Sequence, residues 1–171
     1  MAQAEPYRDE RTRPVGASPA ALWRVIEGIG GARGWHSPEP AWIVRGAVDR
    51  LVGGIGRRRG RRDPDRLAPG DQLDFWQVEE VRRGELLRLR AEMRLPGVAW
   101  LDLRIDRNAA GTVLHQRTTF RPRGPAGHLY WWASLPLHKA VFARMATNIA
   151  AAARRLQDPA EDPPDSTQDP T

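Results

Sequence analysis

Two carboxylates sit where acid–base chemistry is conceivable. Asp74 stands two residues before Trp76, and Glu92 two residues after Arg90. In an extended chain, side chains two apart share a face. Asp74 would then keep company with Trp76 and Val78. A carboxylate turned into an apolar cavity is desolvated, its pKa rises, and it can serve as a general acid. Glu92 has a blander reading beside Arg90, as half of a charged cross-strand ladder on a wet face.

Other chemistries find little support. The histidines are His36, His115, His128 and His138. His128 and His138 are the nearest pair, and their separation fits no helical i, i+3 or i+4 ligand pair. No metal and no cofactor is expected. Ser18, Ser37 and Ser134 read as cap or loop residues, without the turn that exposes a nucleophile. The glycine runs at 28–31 and 53–56 lack the spacing of a phosphate loop and read as helix ends. There is no cysteine, hence no disulfide and no thiolate chemistry.

Tryptophans and buried polar groups point instead to binding. The chain has seven tryptophans. Trp35, Trp42, Trp76, Trp100, Trp131 and Trp132 are candidate walls for a flat ligand, although core packing is the commoner use of such residues. Gln116 and Thr118 fall among apolar residues on one strand face. Buried polar groups need partners, and a ligand can be one. Met145 belongs to the helical stripe that would close such a pocket.

Six arginines lie between Arg57 and Arg66. They could meet phosphates. No aromatic residues interleave with them, however, and Asp63 and Asp65 can pair within the run. Nucleic acid is therefore not the expected partner. Arg57, Arg58, Arg59, Arg61 and Arg62 are placed at a cavity mouth, where they could meet an anionic group. Lys139 is the only lysine, which fits a coding bias toward arginine.

These side chains must be held by a fold. The length of 171 residues suggests one domain. The formal charge is +6, and the segment after Gln157 is acidic and Pro-rich, so the body is more basic still. Residues 1–7 are expected to be flexible, 8–156 to fold, and 157–171 to be disordered. No apolar run suits a signal peptide or a membrane span, and a cytoplasmic protein is expected.

The pattern predicts a strand over Arg8–Val15. A helix follows, capped by Ser18-Pro19, with Leu22, Val25, Ile26 and Ile29 inward. A second helix is predicted over Trp42–Val52. Four strands follow: Asp71–Val81, Glu85–Arg94, Val98–Asp106 and Thr112–Arg121, each alternating between turns. A short helical piece at Gly127–Ala133 precedes a long helix started by Ser134 and Pro136. Leu137, Val141, Met145, Ile149, Ala152 and Leu156 form its stripe. A curved antiparallel sheet with an apolar concave face needs this helix as its cover, which makes the fold α+β in two layers.

Three blocks carry a resemblance: GGIGRRRGRRDPDRLAPGDQLDFW, LRLRAEMRLPGVAWLDL, and FRPRGPAGHLYWW with PLH. Over about residues 19–155 the chain resembles a bacterial domain of unknown function, often fused behind an NmrA-like NAD(P)-binding short-chain dehydrogenase. That domain looks like a member of the START-like (SRPBCC, polyketide-cyclase-like) superfamily. The resemblance implies a helix-grip fold and no particular activity. It also suggests a separate NAD(P)-binding oxidoreductase as partner, since 171 residues leave no room for a dinucleotide-binding unit besides. The expected function is binding of a small hydrophobic or amphipathic ligand between sheet and C-terminal helix. The alternatives are a cyclase- or isomerase-type enzyme using Asp74 or Glu92, and an anionic-partner module using Arg57–Arg62.

Overall fold

Charge dominates the start of the chain, yet the first strand, β1 (Tyr7–Val15), forms there, one residue earlier than expected. The structure is a computed structural model and describes residues 5–30, 34–36, 62–63 and 65–157. Ser18 and Pro19 then start α1 (Pro19–Glu27), with the Ser18 hydroxyl accepting from the Ala21 amide at 3.2 Å. Leu22, Val25, Ile26 and Ile29 are all buried, as the helical spacing requires. The second predicted helix, Trp42–Val52, lies outside the described residues, as does the acidic tail after Gln157.

Where one strand was expected from Asp71 to Val81, the chain doubles back. β2 (Gln72–Leu73) and β3 (Trp76–Arg82) pair antiparallel, with Leu73 opposite Trp76. Asp74 and Phe75 form the two-residue connection, and Asp74 takes φ +55°. Aspartate tolerates this left-handed region better than most side chains. The meander continues as β4 (Leu86–Ala91), β5 (Gly97–Asn108) and β6 (Gly111–Pro122). The sheet order is β1-β6-β5-β4-β3-β2, so the first strand pairs with the last.

The alternation sorts the two faces. Leu87, Leu89, Leu101, Leu103 and Leu114 are fully buried on the inner one. The outer face carries ion pairs, among them a two-pronged Arg88–Asp102 contact at 2.8 and 3.1 Å. Arg104 reaches Asp106 there, and Arg117 reaches Glu10.

A single helix, α2 (Gly124–Gln157), covers the inner face. The predicted break at Ser134-Pro136 does not occur. Pro136 sits inside the helix, where it removes one backbone donor, and the helix runs on through it. The buried stripe also differs from the prediction. Val141, Phe142, Met145, Ala146, Ile149, Ala150 and Ala153 face the core, whereas Leu137 and Leu156 are 63% and 52% exposed. Stepping by four residues along a 3.6-residue helix drifts around its axis, so Leu137 has turned away from the sheet. The result is an α+β helix-grip arrangement, a six-stranded antiparallel sheet holding one long helix.

Candidate functional site

A cavity of about 160 Å³ opens between the sheet and the first half of α2. Trp76 contributes from β3, Met93 and Leu95 from the β4–β5 connection, and Ala99 from β5. Thr118, Thr119 and Phe120 come from β6. Tyr130, Trp131, Ser134, Leu137, His138, Val141 and Phe142 descend from α2. Trp131 is fixed by its neighbours: its ring stacks on Tyr7 at 5.0 Å and on Phe120 at 5.9 Å, nearly parallel to both.

Two polar atoms in this wall stand out. Trp76 Nε1 and Thr118 Oγ1 are buried, and neither has a hydrogen-bond partner among the described residues. Gln116 is buried just behind. Its Nε2 donates to the Phe142 carbonyl at 2.9 Å, while its Oε1 has no partner among the described residues. Leaving such groups unmet costs roughly 1–3 kcal/mol each. A ligand with a donor and an acceptor would recover part of that.

The predicted site residues fall into three groups. Trp76 and Thr118 line the cavity, and Gln116 and Met145 lie buried behind it. Asp74, Glu92 and Trp100 do not line it. Asp74 is buried in the hairpin connection, where Trp35 Nε1 donates to its Oδ2 at 2.6 Å. The Trp35 ring in turn lies 6.2 Å from the Trp76 ring. Asp74 thus supports the cavity wall from behind, because the chain turns at this residue instead of running on as a strand. Glu92 is half-buried just after β4, with its amide donating to the Phe75 carbonyl at 2.8 Å. Trp100 points to the outer face, where the Arg121 guanidinium sits 5.5 Å from the ring. The third group, Trp42, Arg57, Arg58, Arg59 and Arg61, lies outside the described residues. Arg62 is described; it pairs with Asp71 at 2.9 Å, exposed and apart from the cavity wall.

His138 and Tyr130 were missed from sequence as site residues, and Phe142 was read only as widening the helical stripe. The signal existed. Trp131, His138 and Phe142 are spaced seven and four apart, one face of one helix. Reading Pro136 as a helix start lost the phase between Trp131 and His138.

His138 has an unusual setting. Its ring lies 4.4 Å from Phe142 and 5.4 Å from Trp131. Nε2 is 3.4 Å from Asp9 Oδ2, outside hydrogen-bond geometry. Burial pushes the imidazole down from its ordinary 6.5 to about 4, against the partial pull of Asp9 and with a further push from Arg11. Folded His138 is therefore neutral where the unfolded chain would be protonated. Stability from this group is full above pH 6.5 and is lost as pH falls toward 4. The loss amounts to about 3 kcal/mol. Urea unfolding at pH 7 and pH 4 should show a drop that His138→Phe reduces by about that much. An identical drop in the variant would mean that other groups carry the acid sensitivity.

Among the described residues no three His, Asp or Glu side chains converge as metal ligands. No helix among them is long and apolar enough to cross a membrane.

Solved structures share this architecture. Protein NE0264 from Nitrosomonas europaea matches at 12% identity, TM-score 0.52, over 87% of this chain and 95% of its own. Truncated norcoclaurine synthase from Thalictrum flavum matches at 13% identity, TM-score 0.51, over 88% and 94%. The di-domain aromatase/cyclase StfQ from the steffimycin biosynthetic pathway matches at 10% identity, TM-score 0.52; 88% of this chain covers 51% of that one. At such identities the likeness establishes the fold alone. No curated protein matches the sequence. The model for the family described as "protein of unknown function (DUF2867)" matches residues 1–145, and the chain belongs to that family.

Proposed function

We propose that the chain binds a small, flat, amphipathic molecule in the cavity between the sheet and α2. The observation that carries this reading is an apolar, ring-lined wall holding two buried polar atoms, Trp76 Nε1 and Thr118 Oγ1, that have no partner among the described residues. An apolar cavity of about 150 Å³ takes benzene. A space of about 160 Å³ with an open mouth therefore suits one or two rings with a polar substituent. Trp76 Nε1 would donate to an acceptor on the ligand, and the Thr118 hydroxyl could meet either a donor or an acceptor.

Binding is favoured over cyclase or isomerase chemistry on one observation. Neither candidate carboxylate, Asp74 or Glu92, lines the cavity, and Asp74 is engaged by Trp35.

Native mass spectrometry of freshly purified protein should show a small-molecule adduct that is released on unfolding. Thr118→Val separates the ligand from the fold, because its two effects have opposite signs. Removing an unmet hydroxyl leaves the empty protein equally stable or about 1 kcal/mol more so. The same change removes one bond to the ligand and weakens affinity about tenfold. Unchanged affinity in Thr118→Val, or an adduct surviving in a variant whose cavity is filled, would sink the reading.

A further inference from the structure

Between Gly124 and Ala140 the exposed side of α2 is apolar apart from Lys139. Leu129, Trp132 and Leu137 are 72%, 61% and 63% exposed. With Pro136 they fall within an arc of about 140° around the helix. A helix packed on one side normally turns charge outward there. Beyond this point α2 does so, with Arg144, Arg154 and Arg155 exposed.

Two observations indicate what covers this face. First, the chain holds no Asp or Glu from Arg107 through Gln157. The exposed charges flanking the face on α2 and at its start, Arg123 and Lys139, are both basic. A second copy laid on it would bring the same bases and no acid of its own α2 to meet them, and like charges repel. An anionic surface is the complement. Second, the cavity mouth belongs to this face. Leu137 stands in the apolar arc and lines the cavity, and half-buried Tyr130 lines it two turns earlier.

We propose that the first half of α2 docks on an anionic lipid surface, with Trp132 and Leu129 in the interfacial layer and the bases at headgroup level. This is the arrangement of a membrane-surface helix: an apolar face with an indole, rimmed by cations. The cavity then opens toward the lipid, and its ligand exchanges there without crossing water. That exchange rests on the cavity reading above; docking does not.

The test is flotation of the full chain with phosphatidylcholine vesicles, with and without phosphatidylglycerol. The protein should rise only with the anionic vesicles, and less as salt is raised. The double variant Leu129→Ser/Trp132→Ser should lose about tenfold in vesicle partition or more. Its melting temperature should hold, since both side chains are exposed. Lys139→Glu should weaken binding to anionic vesicles alone. Thr118→Val should float like the parent. Equal partition by the double variant, or equal binding to neutral vesicles, overturns the proposal. So does a dimer in lipid-free solution that the double variant dissolves, because a second copy would then be the occupant. Flotation without a small-molecule adduct leaves docking standing and removes the cavity reading. An adduct without flotation does the reverse.

Discussion

Replacing Trp131 with alanine is expected to lower the free energy of unfolding by about 3–5 kcal/mol and to abolish ligand retention. The indole is buried between Tyr7 and Phe120, with its plane within 6–7° of each ring. It therefore joins the first strand, the last strand and the covering helix in one stack. Truncation removes that contact and leaves a void beside both rings. Tyr7 is also hydrogen-bonded to His128 at 2.8 Å. The void adjoins the cavity, so the wall that should grip a flat ligand is lost together with the stability. Urea unfolding and native mass spectrometry read the two losses separately. Trp131→Phe keeps a ring in the stack and should cost clearly less. A small stability change in Trp131→Ala, with the adduct retained, would show that the stack supports neither fold nor site.

The second large effect is expected at Gly127. This residue is buried where α2 crosses the start of β5. A Cβ there would lie 2.4 Å from the Pro96 carbonyl oxygen and 2.7 Å from Pro122 Cβ. Both obstacles belong to backbone or ring and cannot swing aside. Pro96 is also tied down, accepting from the Arg123 amide at 2.8 Å. Gly127→Ala must therefore lift the first turns of α2 from the sheet. The expected cost is about 3 kcal/mol, at the upper end for overpacking. Hydrogen exchange should report it locally, with amides in the first half of α2 losing protection before those around Met145. Ala126→Ser, at the exposed neighbouring position, should change little. Wild-type stability in Gly127→Ala would mean that the helix does not rest on this contact.

How far the sequence reaches can be judged residue by residue. The inner faces of β4, β5 and β6 were legible because period-two alternation and turn residues agree there; Leu89, Leu103 and Leu114 are all fully buried. Gln116 and Thr118 were legible as polar residues on an apolar face, and both are buried. The hairpin at Asp74-Phe75 was not. It contains neither Gly nor Asn, and its two strands together look like one alternating run. Nor was the continuity of α2 visible, since proline stops helices more often than it sits inside them. The cavity wall escaped in part for the same reason, because a helix start at Pro136 breaks the phase between Trp131 and His138. His138 gains its character first from burial under the folded sheet and then from Asp9 and Arg11, more than 120 residues earlier, and no local pattern carries such a setting. Trp100 shows the limit of composition: its strand phase places it outward, and only the habit of assigning tryptophan to pockets placed it inward.

The pairing of β1 with β6 has a consequence for how the chain is made. Tyr7 through Val15 find their partners, Phe120 back through Thr112, only after about a hundred further residues have been synthesised. Until then β1 is a lone extended segment, the kind that recruits other chains. Its composition guards against that. Arg8, Asp9, Glu10, Arg11 and Arg13 crowd it with charge, and Pro14 removes a donor near its end. The same residues make it a poor strand by local pattern. Long-range closure makes sheets slow to form, and a first strand that waits for the last one does better to be unattractive to anything else in the meantime.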